Sequence, residues 1–69
     1  MKSISGKQFA KILEANGWQL LRVKGSHHLY VKPDETIRIS VPIHGNKDLK
    51  IGLLTHFMKL ANLTEEDFK

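Results

Sequence analysis

The chain has 69 residues, 41% of them hydrophobic and 26% charged, and no cysteine. That length holds one small domain over residues 1–69, the composition excludes a mostly disordered chain, and the missing thiols exclude disulfide staples, thiolate zinc sites, a thiol nucleophile and redox chemistry. Eleven Lys and Arg against seven Asp and Glu give +4, but Glu65, Glu66 and Asp67 sit together, so residues 1–64 hold ten bases and four acids, a net +6 that suits a polyanionic ligand such as nucleic acid.

No apolar run approaches the roughly 7 to 15 residues of a signal-peptide core or the roughly 20 of a membrane span. The expectation is a soluble, cytoplasmic chain with no membrane contact. A core of this size rarely yields more than about 3 to 5 kcal/mol, so a partner chain is an expected source of stability.

Ser5-Gly6-Lys7-Gln8 has the capping-box pattern, and Ile4 can staple onto Phe9. Phe9, Ile12, Leu13 and Asn16 follow helical spacing and Asn16-Gly17 supplies a left-handed stop, which predicts a helix near 6–16. Trp18 to Lys24 is rich in strand formers, Gly25-Ser26 makes a turn, and His27 to Lys32 alternates, so a hairpin follows. Its second strand places His27, Leu29 and Val31 on one side, read as the core side with His27 at its rim, and His28 and Tyr30 on the wet side. After a turn at Pro33-Asp34-Glu35, Ile37, Ile39 and Val41 alternate with Thr36, Arg38 and Ser40 until Pro42. From Leu49 a helical period returns through Leu53, Phe57 and Leu60, with Asp48 as the expected cap, Gly52 as a site of close approach, and Asn62 as the end. Thr64 to Asp67 is an acidic turn against which Phe68 can pack. The predicted fold is α+β, in the order α-β-β-β-α, with both helices on one face of a three-stranded antiparallel sheet.

Antiparallel neighbours bring distant loops together. Residues 5–7, 24–27 and 42–50 converge at one pole, with two helix N-termini and Lys7, Lys24, Lys47 and Lys50, a credible phosphate site. His27 and His44 share this pole. An imidazole titrating near ~6.5 can pass the proton that attack by an RNA 2′-hydroxyl on its own phosphate requires, and ammonium groups stabilise the charge gathered on phosphorus. For a lone histidine a packed, hydrogen-bonded side chain is the commoner use, and His56 on the second helix is read that way. The neighbours His27 and His28 point to opposite strand faces and no carboxylate is near the turn, so no metal is expected. No Walker loop or dinucleotide fingerprint is present.

Gly17-Trp18, Lys24-Gly25-Ser26-His27-His28, the run Pro42 to Lys47, and Leu49-Lys50-Ile51-Gly52-Leu53-Leu54 together resemble the HicA toxins of bacterial toxin-antitoxin systems over nearly the whole chain. The resemblance implies a double-stranded-RNA-binding-domain-like fold, metal-independent cleavage of mRNA, an essential histidine that falls on His27, no general cofactor, and neutralisation by a HicB antitoxin. His44 matches a second recurrent position. The expectation is therefore an endoribonuclease with His27 as acid or base and with Lys24, Ser26, His44, Lys47 and Lys50 on the RNA phosphates. Two rivals stand beside it: a non-catalytic RNA-binding module of the same fold, and an interaction protein docking through a wet sheet face that bears His28 and Tyr30.

Overall fold

The computed structural model describes residues 3–68, with Glu65 and Phe68 as backbone only. The first helix, α1 (Gly6–Ala15), begins with the expected box: the Gln8 N–H donates to Ser5 Oγ and the Ser5 N–H to Gln8 Oε1, each at 3.1 Å. It ends in a Schellman turn. Gly17 at φ +93° lets the Trp18 N–H reach the Leu13 carbonyl at 3.0 Å and lets both side chains bury together. Three strands follow, β1 (Gln19–Lys24), β2 (His27–Val31) and β3 (Arg38–Pro42), in the antiparallel order β1-β2-β3. The second helix, α2 (Ile51–Ala61), closes at Asn62, the non-glycine residue with positive φ (57°) among those described. A short 3-10 turn, Glu65–Phe68, is tied by Thr64 N–H to Asp67 Oδ2 at 2.9 Å. The expected packing of Phe68 lies outside the described residues.

One cluster forms the core. Phe9, Ala10 and Leu13 of α1, Leu54, Phe57, Met58 and Ala61 of α2, and Trp18, Tyr30, Ile39, Val41 and Leu49 are all buried. Phe9 and Phe57 stack at 5.7 Å and join the two helices. Both helices cover the same sheet face, as expected, and the other face is open. β1 is nevertheless thinly covered: Leu20, Leu21 and Val23 are 46%, 47% and 52% exposed.

The faces of β2 are the reverse of the sequence expectation. Tyr30 is buried in the core and paired with Ile39, and His28, paired with Val41, is half-buried beside it. His27 and Leu29 stand on the open face. Leu29 and Val31 outweigh one tyrosine in any count of apolar residues, but the larger ring fills the core. Its hydroxyl is satisfied there, donating to Glu14 Oε2 of α1 at 2.7 Å.

Along β1 the register shifts between Leu20 and Arg22. This bulge places Leu20 opposite Tyr30 while Arg22 stands opposite Leu29 and Lys24 opposite His27. Without it, strict alternation would put Leu20, Arg22 and Lys24 on one face.

Burial and the Glu14 carboxylate, in that order, push the Tyr30 hydroxyl well above the usual tyrosine range. A raised folded-state value stabilises the protein below the unfolded value near ~10, and that contribution is lost as pH rises past it. Tyr30→Phe should therefore cost about 1 kcal/mol at neutral pH. Melting curves of both proteins across pH should show the gap closing above about pH 10; a constant gap would mean that the buried hydroxyl does not resist ionisation.

Candidate active site

The pole is assembled by backbone contacts. The Ile43 N–H donates to the Ser26 carbonyl at 2.7 Å, the Leu49 N–H donates to the Ile4 carbonyl at 2.9 Å, and Ser5 pairs with Asp48 in an isolated antiparallel bridge. His27 is the register partner of both Lys24 and Pro42. The β1–β2 turn, the end of β3 and the start of α1 thus meet, as the order of elements requires.

Gly6 is the close approach that makes this possible. A Cβ there would collide with the carbonyl oxygen of Pro42, whereas a Cβ on Gly52 would meet nothing. The expectation for Gly52 is corrected accordingly: it is an exposed position of α2. The cap expected at Asp48 is also absent. The bridge to Ser5 keeps residues 48 and 49 extended and Leu49 buried, so α2 starts later, with Lys50 as N-cap and no side-chain cap bond. Its first turn therefore has no side-chain cap for its N–H groups.

The expected site residues fall into two adjoining clefts. Lys24, Ser26 and His27 line an open cleft of about 670 Å³ on the uncovered sheet face, with Arg22, Leu29, Arg38 and Ser40. His44, Lys47 and Lys50 line a smaller one of about 320 Å³ with Pro42, Asp48, Leu49 and Leu53. Pro42, opposite His27 in the register, connects them. Lys7 stands apart in a third cleft with Lys11 and Asp48.

The first cleft has an unmixed charge. Arg22, Lys24 and Arg38 line it together with a single exposed imidazole, and no carboxylate does. The second includes Asp48, which offsets part of the attraction of Lys47 and Lys50 for an anion. Arg22 and Arg38 were not expected in the site. Strand parity would have found them once Tyr30 was turned inward, because Arg38 and Ser40 alternate with buried Ile39 and Val41. His28 is separated from His27 by the thickness of the sheet, and its Nδ1 is buried with no hydrogen-bond partner in the structure. His28 and Tyr30 thus do not form the exposed docking face expected of an interaction protein. His56 is exposed on α2, its ring 6.2 Å from that of Phe57.

Among the described residues no three His, Asp or Glu side chains gather as metal ligands, and no helix is long and apolar enough to cross a membrane. An α-β-β-β-α domain whose open sheet face carries one imidazole among arginines and a lysine belongs to the class of small basic domains suited to meet a polyanion. The comparison with known proteins is narrower. Residues 6–63 match the family described as HicA toxin of bacterial toxin-antitoxin, and the chain belongs to that family. A solved structure described as "HicA3 and HicB3 toxin-antitoxin complex" contains a chain that superposes with a TM-score of 0.66 at 29% identity, over 84% of this chain and 92% of that one. No curated protein sequence matches.

The two glycines give opposite expectations for stability. Gly52→Ala should stabilise by about 0.5 to 1 kcal/mol, as replacement of an exposed helical glycine does. Gly6→Ala forces α1 away from β3 and should destabilise by about 1 to 3 kcal/mol, as overpacking does. Denaturant titration distinguishes them, and equal effects would contradict the assigned close approach.

Proposed function

We propose that the chain is a metal-independent endoribonuclease that cuts mRNA in the cytoplasm, with His27 in proton transfer and the surrounding cations on phosphate. The observation that supports it most strongly is the position of His27 on the open sheet face in a cleft lined by Arg22, Lys24 and Arg38. The alternation of β2 directs its neighbour His28 to the other face, so the donors for a bound dication are poor: one imidazole, no carboxylate, and three positive charges. The same set suits an anionic transition state.

In this reading the 2′-hydroxyl of the substrate gives its proton to the His27 imidazole as its oxygen attacks the adjacent phosphorus. The bond from phosphorus to the 5′-oxygen breaks. A 2′,3′-cyclic phosphate remains on one product, and the departing 5′-oxygen takes up a proton from imidazolium or water. Lys24, the register partner of His27, faces the charge that accumulates on the phosphoryl oxygens, Ser26 holds the turn beside it, and His44, Lys47 and Lys50 extend the cationic surface past Pro42.

The partner in this reading is a HicB-type antitoxin, since the similar solved chain comes from a toxin-antitoxin complex. An acidic surface laid over Lys24, His27, Lys47 and Lys50 would be steered there by charge, stabilise a small fold by mass action and exclude RNA.

Purified protein in EDTA should cleave an unstructured RNA, leave an all-DNA strand intact and yield cyclic phosphate ends. His27→Ala should abolish cleavage with little loss of melting temperature, because the side chain is exposed. Products with 5′-phosphate ends, or an active variant, would overturn the mechanism; binding without cleavage would favour the non-catalytic RNA module. For the partner, Lys47→Glu with Lys50→Glu should weaken both RNA cleavage and antitoxin binding and flatten the salt dependence of the association rate. Unchanged antitoxin affinity would place its surface elsewhere.

A further inference from the structure

The open sheet face holds more positive charge than one phosphate requires, and that charge is arranged in rows. The turn-proximal row is Lys24, His27 and Pro42, the next is Arg22, Leu29 and Ser40, and the third contains Val31 and Arg38. Along β2 the residues of one face recur every second position, so neighbouring rows are about 7 Å apart and Arg38 lies roughly 13 Å from the His27 row along the strand direction. Such a step is close to the distance between successive phosphates in an extended polynucleotide. The rows also step sideways, from β1 at Arg22 to β3 at Arg38, with half-buried Leu29 between them.

We infer that this face is a track for the backbone of a single RNA strand: the scissile phosphate at Lys24 and His27, the adjacent phosphate on Arg22, and the one beyond on Arg38. The inference rests on the ribonuclease reading and adds to it two binding residues and a minimal substrate. Two features favour one strand over a duplex. The cations occupy a single short row system on one sheet face, whereas recognition of a duplex draws on contacts spread over about 16 base pairs. In-line attack by a 2′-oxygen also requires a sugar-phosphate linkage free to leave the A-form geometry. Leu29 offers an apolar floor between the two arginines against which a sugar or base edge can rest.

Both arginines are exposed, so Arg22→Gln and Arg38→Gln should retain the wild-type fold, which circular dichroism checks. The binding probe is a single-stranded RNA carrying 2′-O-methyl groups, which the enzyme cannot cleave, titrated at several salt concentrations. Each substitution should weaken binding about tenfold and reduce the slope of log affinity against log salt by about 0.7, the value for one phosphate contact on a single strand. Lys59→Gln, on the far end of α2, should leave the slope unchanged. In cleavage assays the loss for Arg38→Gln should be several-fold greater on a long strand than on a dinucleotide, which has no phosphate to reach that row. Wild-type slopes in both variants, with cleavage by the wild-type protein intact, would overturn the track and leave the ribonuclease reading standing. Equal losses on dinucleotide and long strand would also overturn it, since the arginines would then act at the scissile phosphate. A wild-type protein that neither binds nor cuts RNA would remove both.

Discussion

The orientation of β2 decides what the open face of the sheet contains, and the Tyr30 side chain fixes that orientation. Its ring is buried in the core on the face the helices cover, and its hydroxyl is held by Glu14 of α1 at 2.7 Å. Because side chains alternate with a period of two, turning Tyr30 inward turns His27 and Leu29 outward, and a one-residue slip would exchange them. Burial of the Tyr30 ring on the covered face thereby sets the chemistry of the open one. The β1 bulge makes the matching adjustment on the neighbouring strand, sending Leu20 to the helix side while Arg22 and Lys24 remain with His27.

Much of this architecture was legible in the sequence because it is written in local signals. The Ser5–Gln8 box, the Asn16-Gly17 stop, the two-residue Gly25-Ser26 turn and the alternation of Ile39 and Val41 each specify their own backbone conformation with little help from elsewhere. The parity of β2 was not legible in this way, since Leu29, Tyr30 and Val31 are all good strand residues, and it is core space for the Tyr30 ring, with an acceptor on distant α1 for its hydroxyl, that separates them. The start of α2 was missed for a related reason. Asp48 is a good cap in isolation, but its backbone is engaged with Ser5, 43 residues earlier in the chain. Of the candidate site, the convergence of the loops at one pole could be placed from the order of elements, whereas the face on which His27 stands could not. Arg22 and Arg38 could not, because membership of the cleft depends on the faces of three strands at once.

The same geometry explains why charge is divided unequally across the pole. Gly6 allows the start of α1 to press against Pro42, and the Ser5–Asp48 bridge then ties the loop after β3 to that helix. Asp48 is drawn into the second and third clefts, where it moderates the lysines. The sheet cleft receives no such counter-charge. In a member of the HicA toxin family, this leaves one surface with both an imidazole and uncompensated cations, which is the surface the proposed reading gives to RNA and to a neutralising partner.

The central claim is that RNA lies on the open sheet face and not on the helices. The direct measurement is the set of backbone amide shifts in the isotope-labelled protein as a 2′-O-methylated RNA strand is added. The account predicts that the perturbed amides concentrate at residues 22–29, 38–41 and 43–50, with the outer surfaces of α1 and α2 around Lys11 and Lys59 unaffected. Shifts confined to the helices, with the strands silent, would contradict it.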